Sequence, residues 1–406
     1  MRPSRRLERW CLERLRHGPT VVEPPGLDRL TVVVPSFGRP DFVLRQLVYW
    51  SGTTSHLLIL DGSPDPIPES VRDAVDARKE LAYMHRPVGI DERLHEACDL
   101  IGTEYTVLGG DDEFLLRRGL AEAVDVLDRE QTHVACMGQS LGFVPSPDGR
   151  YLGLGPGYPH RGFVNTDPDV RQRVLYAMSR YNAITCYAVT RTDTWRLTWG
   201  AVLDWSSMYA MEVQHAISSW LSGGLITIDE IYWLRSGENR SVRDLSVRDL
   251  KEQHLTFADW WSDPVYASEV SRFQGLLADH AVAVGAADPS LASQIVSEAI
   301  EVFAAFTEAK ESKRMVLAPT RTLFPHHRIA KVARHLIDNL TPSVKIFFKR
   351  TWCRVMRLLR KGRDTSLVNI DSLVDEDFLP ADSLTEGLYA EIKEVEKLVL
   401  EFYRAR

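Results

Sequence analysis

The 406-residue chain lacks an apolar run long enough to cross a bilayer, which takes about 20 residues. Its five cysteines, Cys11, Cys98, Cys136, Cys186 and Cys353, are odd in number and scattered, which argues against a disulfide framework or a zinc site. With 49 basic and 56 acidic residues, the net charge of −7 gives no overall electrostatic footprint for nucleic acid. These absences predict a cytoplasmic protein in a reducing compartment that does not bind nucleic acid.

The patterns that are present divide the chain into three parts. Residues 1–28 combine a basic amphipathic helix with a proline-containing linker. Residues 29–240 alternate short apolar runs with helical patterns, which predicts an α/β domain with a parallel or mixed sheet covered by helices. Residues 241–406 lose strand-like alternation and are predicted to form an all-α C-terminal domain, whose last helix opens with a capping box at residues 383–386.

Much of the α/β part can be assigned to strands and helices, and the pattern loosens in one stretch. Residues 145–170 contain prolines among glycines and aromatics, and are predicted to be irregular and either functional or mobile. The predicted strands are residues 30–34, 57–60, 105–108, 133–137, 183–190 and 225–231, and the predicted helices are residues 41–50, 91–100, 118–128 and 206–221.

Three consecutive acids, Asp111, Asp112 and Glu113, follow the predicted strand at residues 105–108. Adjacent carboxylates repel unless a cation or solvent screens them. One interpretation is a Mg²⁺ or Mn²⁺ site completed by phosphate oxygens of a substrate. The other is a helix beginning at Phe114, whose dipole favours acids. The preceding glycines favour the ligand interpretation, because a bare backbone allows close approach.

A general base is a second requirement of a site that transfers a group to a hydroxyl. Three side chains near the predicted helix at residues 206–221 compete for this role: Asp204, Glu212 and His215. For each of them, the alternative is an ordinary surface or capping group.

Taken in chain order, these segments resemble the GT-A glycosyltransferases, in particular the inverting family 2 type. TVVVPSFGRPDFVLRQL is similar to the opening strand, turn and helix of that family, and ILDGS to its second-strand motif. MHRPVGIDERLHEACDLIGTEYTVLGGDDEF resembles the helix and strand that lead to its D-x-D metal motif. The resemblance covers about residues 29–240, and the order of the motifs is its most specific feature.

The resemblance implies a nucleotide-sugar donor and a Mn²⁺ or Mg²⁺ ion on Asp111, Asp112 and Glu113. It further implies that Asp61 reads the nucleotide base and that Glu212 is the catalytic base. The other donor-binding residues in this interpretation are Pro35, Ser36, Arg39, Arg93, Asp111 and Arg235.

Two positions depart from the family pattern. Gly109 stands where the first aspartate of D-x-D is expected, and the sequence Tyr-Trp-Leu-Arg ending at Arg235 stands where a histidine is often found. Arg235 or Arg240 could meet the diphosphate instead, since arginine pairs with phosphate in a bidentate way. The alternative is a surface arginine.

The activity implied is transfer of a sugar, with inversion, to a hydroxyl of a glycan or lipid-linked acceptor. Residues 151–163 are a candidate lid that excludes water. One alternative is a catalytically silent glycosyltransferase-like binding module, which Gly109 favours. The other is a nucleotidyltransferase, although PSFGRP is a poor match to the glycine-rich basic loop that such an enzyme needs.

A basic segment at residues 344–361 contrasts with the acidic chain around it. It is interpreted either as an interfacial helix on anionic lipid at the inner face of the membrane, or as a packed helix with a solvated basic face. Nucleic acid is a weaker third option. The C-terminal domain as a whole is expected to shape the acceptor site, contact the membrane or mediate homo-oligomerisation.

Overall fold

The computed structural model describes residues 2–17, 23–146, 149–158, 161–239, 255–317, 370 and 385–406. The basic segment at 344–361 and Arg240 lie outside these ranges. The chain divides into two compact units, one of Met1–Phe306 with Leu367–Arg406 and one of Thr307–Ser366. The domain boundaries predicted after residues 28 and 240 stay predictions.

A nine-stranded mixed sheet forms the centre of the larger unit, in the order β3-β2-β1-β4-β8-β6-β9-β5, with β7 paired to β6. β1 is parallel to β2 and β4, β2 to β3, and β6 to β9, whereas the other pairs are antiparallel. This confirms the predicted mixed α/β fold class. The strands are β1 (Leu30–Ser36), β2 (His56–Asp61), β3 (Leu81–His85), β4 (Tyr105–Leu108), β5 (Phe114–Leu115), β6 (His133–Pro145), β7 (Leu152–Pro156), β8 (Val189–Arg191) and β9 (Gly224–Ser236).

Helices cover both faces of the sheet and make up the described C-terminal region, as predicted. They are α1 (Arg5–His17), α2 (Pro40–Trp50), α3 (Glu69–Asp76), α4 (Ile90–Leu100), α5 (Arg117–Arg129), α6 (Val170–Ser179), α7 (Thr192–Leu197), α8 (Met208–Ser222), α9 (Phe257–Ser262), α10 (Ala267–Ala283), α11 (Pro289–Leu317) and α12 (Glu386–Ala405). No helix in the described part of the chain is long and apolar enough to span a membrane.

The alternating direction of side chains along a strand explains why β1 is apolar throughout. Val32 and Val34 pack into the core cluster that includes α1, α2 and α3, while Val33 packs into a second cluster with Leu94 and Trp199 on the other face. All three valines are buried. A strand covered on both faces has no solvent side, so it is encoded as a continuous apolar run.

The first and last helices of the chain pack together. Leu7, Cys11 and Leu15 form the buried face of the basic amphipathic α1, at 0 to 2% exposure. The ring of Phe402 in α12 lies 6.1 Å from that of Trp10 in α1. The C-terminal helix is therefore part of the same core as the N-terminal one.

Four local predictions were wrong. The strand predicted at 183–190 is much shorter, since only β8 forms there and turns precede it. Phe114 starts the strand β5, and the next helix, α5, begins at Arg117. The stretch at 145–170, predicted to be irregular, contains β7, whose leucines are buried against β6, and α6 begins at its last residue. The role of residues 151–163 as a lid stays a prediction. Within α12 the N-cap is Thr385, two residues later than predicted, and its side chain accepts from the backbone of Leu388.

Candidate functional site

The carboxyl ends of the parallel strands β1, β2 and β4 lie side by side at one edge of the sheet. Ser36 at the end of β1 is the register partner of Asp61 at the end of β2. The hydroxyl of Ser36 donates a 2.7 Å hydrogen bond to Oδ2 of Asp111, in the loop after β4. Three residues predicted from different segments therefore meet at one place.

Asp61 is fully buried at this edge, and protein donors occupy both of its carboxylate oxygens. The backbone nitrogen of Ser63 donates to Oδ1 at 2.9 Å, and the hydroxyl of Tyr83 donates to Oδ2 at 2.6 Å. Burial, followed by the bond to Asp61, raises the pKa of Tyr83. In this arrangement Asp61 orders the turn after β2, and its role in reading a base stays a prediction.

Arg93 lies behind the edge and is 4% exposed. Its Nη1 donates to the carbonyl oxygen of Ser36 at 2.9 Å and also to that of Leu60. Burial lowers its pKa. A Cβ atom at Gly62 would lie 2.6 Å from Cζ of Arg93, so the guanidinium needs a glycine there. Arg93 thus ties the ends of β1 and β2 together beneath the site.

Arg39 and the acidic residues after β4 form the centre of the site. Nη1 of Arg39 lies 3.3 Å from Oδ1 of Asp111 and 3.1 Å from Oδ2 of Asp112. The amide of Asn239 also donates to Oδ2 of Asp112. The side chain of Arg39 is 43% exposed and that of Asp111 only 2%. One guanidinium therefore bridges both carboxylates while keeping an open side.

The carboxyl groups of this loop have perturbed protonation. Burial raises the pKa of Asp111 to about 6, against the opposing effect of Arg39. Burial and the charge of Asp112 raise the pKa of Glu113 to about 8, so Glu113 is mostly protonated at neutral pH. Buried acids with shifted pKa values are concentrated at functional sites, which marks this loop as a candidate.

The backbone of the acidic loop is held from α2. The amide of Gln46 donates to the carbonyl oxygens of Asp111 at 3.1 Å and Glu113 at 2.6 Å. Nη2 of Arg45 donates to the carbonyl oxygen of Asp112 at 2.9 Å. Arg45 is fully buried and pairs through both terminal nitrogens with Glu238, each at 2.8 Å. The position of the loop is therefore fixed by buried polar contacts.

An aromatic wall, formed by Tyr158, Tyr187 and Trp233, flanks the acidic loop. The ring of Trp233 is stacked between those of Tyr187, at 4.3 Å, and Tyr158, at 5.6 Å. Its indole nitrogen donates to Oε2 of Glu113 at 3.0 Å. The guanidinium of Arg235 lies 5.0 Å from the centre of the Tyr158 ring. The residues of the wall thus come from β9, from the loop before α6 and from the loop before β8.

Glu212 in α8 is coupled to the wall electrostatically and bound by Tyr181. The charge of Glu113, burial and, more weakly, the charge of Glu212 raise the pKa of Tyr187. The hydroxyl of Tyr181 donates to Oε1 of Glu212. The ring of Phe303 in α11 contacts that of Tyr181 edge-on at 5.0 Å. The carboxylate of Glu212 is therefore positioned by a tyrosine that a C-terminal helix supports.

The other two candidates for the base lie elsewhere. His215 is 1% exposed and stacks on Trp199 at 3.9 Å, and burial lowers its pKa to about 3. The backbone nitrogen of Asp204 donates to Oδ2 of Asp91, and burial raises the pKa of Asp204. His215 is thus a neutral core residue, and among the three candidates Glu212 has the electrostatic link to the aromatic wall.

A divalent cation fits this arrangement poorly. Both oxygens of Asp111, and one each of Asp112 and Glu113, already contact protein donors. Within the ranges that the structure describes, no three His, Cys, Asp or Glu side chains converge to hold a metal ion. A Cβ atom at Gly109 would face Leu115 at 3.3 Å, so an aspartate there would point into apolar surroundings. The Mn²⁺ or Mg²⁺ site stays a prediction.

A cleft of about 640 Å³ lies apart from these residues, between α5 and β9. Its lining includes Glu122, Asp125, Asp229 and Glu230, with Arg118 as a basic side chain. A negatively charged cleft repels a diphosphate. We therefore place the candidate site at the strand ends and not in this cleft.

No protein-family model and no curated protein matches the chain. Among solved structures, residues 1–349 of S. aureus TarS are similar, at 13% identity and a TM-score of 0.38, over 70% of this chain and 92% of that one. The same region of TarS has been solved with UDP-GlcNAc. The mannosyltransferase PcManGT from Pyrobaculum calidifontis, solved with GDP-Man and Mn²⁺, is similar at 16% identity and a TM-score of 0.36, over 87% of this chain and 93% of that one.

Sequence reasoning missed Tyr158, Tyr181 and Tyr187. Tyr181 lies in no predicted element, Tyr158 lies within the candidate lid at 151–163, and Tyr187 lies in the predicted strand at 183–190. None of these patterns distinguishes a functional tyrosine from a packing one. The order of motifs identified Ser36, Arg39 and the acidic loop. No spacing rule connects these residues to tyrosines that lie far along the chain, because the tyrosines are brought to the site by the pairing of β6 with β8 and β9.

Proposed function

We propose that the chain is a glycosyltransferase that moves a sugar from a nucleotide-sugar donor to an acceptor hydroxyl. The observation that carries this proposal is the contact of Arg39 with the acidic loop beside an aromatic wall, whose Tyr187 is electrostatically coupled to Glu212. This set supplies a cation for a leaving diphosphate and a base for an incoming hydroxyl. The inverting family 2 mechanism is the form that the motif order supports.

The donor side is formed by two arginines. The exposed part of the Arg39 guanidinium and that of Arg235, near Tyr158, can meet the negative charge that develops on the leaving nucleoside diphosphate. Charge that is stabilised more in the transition state than in the bound donor lowers the barrier. Arg93, in contrast, acts from beneath the site by holding the strand ends.

The acceptor side is formed by Glu212. Tyr181 binds its Oε1, and Oε2 accepts no hydrogen bond from the residues that the structure describes. In the proposed single displacement, the acceptor oxygen bonds to the anomeric carbon while the bond from that carbon to the diphosphate oxygen breaks. The acceptor proton moves to Glu212, and the electron pair leaves with the diphosphate. The aromatic wall limits the access of water that would hydrolyse the donor.

The test is nucleotide binding and turnover by the full chain. Thermal shifts are measured with UDP, GDP, CDP and dTDP, and turnover of UDP-GlcNAc and GDP-mannose is followed by release of the nucleoside diphosphate. A ligand at about 100 times its dissociation constant adds about 2.7 kcal/mol. We expect one nucleotide to stabilise the protein, and Glu212→Gln to keep this shift while losing at least 100-fold in turnover. The matched variant Asp204→Asn should retain both.

Each of the other possible outcomes would indicate a different function. A nucleotide shift without any turnover would indicate a silent binding module, whereas consumption of a nucleoside triphosphate with release of pyrophosphate would indicate nucleotidyl transfer. If no nucleotide shifts the unfolding temperature, the site is not a donor site. The glycan or lipid-linked acceptor, contact with the membrane and homo-oligomerisation stay predictions.

A further inference from the structure

The acidic loop already contains a cation. A single nitrogen of Arg39 contacts Oδ1 of Asp111 at 3.3 Å and Oδ2 of Asp112 at 3.1 Å. Two neighbouring carboxylates repel each other, and a positive group between them offsets that repulsion. Arg39 therefore stands where a divalent ion would have to bind.

Other carboxylate oxygens of the loop, which a metal ion would need as ligands, accept hydrogen bonds from protein groups. Oδ2 of Asp111 accepts from Ser36, and Oε2 of Glu113 accepts from Trp233. A Cβ atom at Gly110 would lie 2.9 Å from Oε2 of Glu113, so this carboxyl group folds back over the glycine. Mg²⁺ and Mn²⁺ require several oxygens at short distances from one point. The loop is thus arranged for hydrogen bonding to protein groups.

Gly109, which stands where the family pattern has an aspartate, is consistent with this arrangement. A side chain there would point at Leu115 and Val34, at 3.3 and 3.7 Å. An aspartate at this position would lose solvation without reaching Asp111. An acid at position 109 would therefore not serve as a metal ligand, because the backbone after β4 directs the Cβ position of residue 109 away from the site.

We propose that Arg39 is the resident cation of this loop and that the chain binds a nucleoside diphosphate without a divalent metal. This inference rests on the proposed function for the identity of the ligand. The open side of the guanidinium, which is 43% exposed as a side chain, provides N–H donors to the diphosphate while Asp111 and Asp112 hold the group in place.

The first experiment is titration of UDP and GDP into the full chain, in buffer with EDTA and in buffer with Mn²⁺. For the wild type, we expect the dissociation constant of the nucleotide that binds to differ by less than about twofold between the two buffers. Arg39→Ala should weaken binding at least tenfold in EDTA, and Mn²⁺ should restore part of it. Arg129→Ala removes the same charge from an exposed pair outside the site and should change neither value.

The second experiment is titration of Mn²⁺ alone, followed by its electron paramagnetic resonance signal. The wild type should leave Mn²⁺ free, whereas Arg39→Ala should bind it, because removal of the guanidinium frees Asp111 and Asp112. Thermal unfolding of both proteins confirms that the variant is folded. This measurement tests whether Arg39 occupies the place of a metal ion even if no nucleotide binds. A lack of nucleotide binding would contradict the proposed function separately.

Three results would overturn the inference. The first is nucleotide binding by the wild type that disappears in EDTA and returns with Mn²⁺. The second is Mn²⁺ binding of equal strength by the wild type and by Arg39→Ala. The third is the absence of Mn²⁺ binding in both proteins, since Arg39 would then occupy no position that a metal can take.

Discussion

The two halves of the sheet are built differently. The first half, β1 to β4, consists of parallel strands that are each adjacent to a short helix, and its apolar runs are continuous. The second half, β5 to β9, contains two 13-residue strands, β6 and β9, whose pairing shifts register. Local sequence is therefore sufficient to specify three of the four strands of the first half, β1, β2 and β4, whereas the second half depends on contacts distant in the chain.

Long-range polar contacts to α12 illustrate this dependence. Glu391 accepts from the backbone nitrogen of Arg117, at the start of α5, and Glu396 accepts from that of Leu152, in β7, at 2.8 Å. The side chain of Arg117 is 2% exposed and lies 3.2 Å from Glu391. The C-terminal helix therefore supplies hydrogen-bond acceptors to two backbone N–H groups of the second half. Buried backbone groups of this kind need a partner.

Removing a buried ion pair of the second half should have the largest effect. Arg117→Ala leaves Glu391 buried without its cation, and we expect a loss of about 3–5 kcal/mol in the free energy of unfolding. The matched change in the first half is Arg29→Ala, whose partners Glu104 and Asp128 are partly exposed. It should cost about 1 kcal/mol or less. Urea denaturation measures both, and equal losses would contradict the comparison.

A glycine contact between α5 and β9 should give the next largest effect. A Cβ atom at Gly119 would lie 2.6 Å from Cα of Tyr232, a backbone atom that cannot move aside alone. Gly119→Ala should therefore destabilise the protein by about 1–3 kcal/mol.

The control for this prediction is Gly275→Ala in α10. A Cβ atom at this exposed glycine meets nothing within 4 Å. In a helix interior, replacing glycine by alanine should stabilise by about 0.5–1 kcal/mol. Opposite signs in thermal unfolding are expected, and stabilisation by both changes would show that α5 and β9 are not in close contact.

The pH dependence of stability should reveal the buried His215. Its pKa is lowered to about 3 by burial, against 6.5 for the ordinary group, so the unfolded chain binds the proton first. Stability should therefore fall as pH decreases from 6.5 towards 3, by at most about 1.4 kcal/mol per pH unit for this group. Above pH 6.5 the contribution is constant.

The measurement is chemical denaturation of the wild type and His215→Gln at several pH values. Subtracting the two curves removes the contributions of other groups, including His280, whose pKa burial also lowers. The difference in stability should depend on pH only below about 6.5. A difference that does not change with pH would show that His215 is protonated or exposed in the folded state.

The sequence was sufficient to predict the strands β1, β2 and β4, because a continuous apolar run has one burial pattern in a parallel sheet. It also placed Ser36, Asp61 and Asp111 at one edge, because the carboxyl ends of parallel strands meet there. It did not predict β7, since prolines and glycines around Leu152 hide a strand whose pairing is determined by β6. Nor did it predict that Arg39 bridges the acids, because that contact depends on side-chain geometry.

The smallest effect is expected at the N-terminus of α12. The hydroxyl of Thr385 accepts from the backbone nitrogen of Leu388 at 3.2 Å, which satisfies one of the free donors of the first turn. Thr385→Ala should cost about 1 kcal/mol in the free energy of unfolding, as other N-cap removals do. The matched change is Asp169→Ala at the N-cap of α6, where the side chain accepts from the backbone of Gln172 at 3.0 Å.

These two caps separate local from long-range stabilisation. Because α12 supplies Glu391 and Glu396 to the second half, fraying of its first turn should increase hydrogen exchange at the amides of Arg117 and Leu152 as well as in α12 itself. Loss of the α6 cap should affect amides of α6 alone. If Thr385→Ala leaves exchange at Arg117 and Leu152 unchanged, the second half is held by its own strands, and the difference between the two halves does not depend on the C-terminal helix.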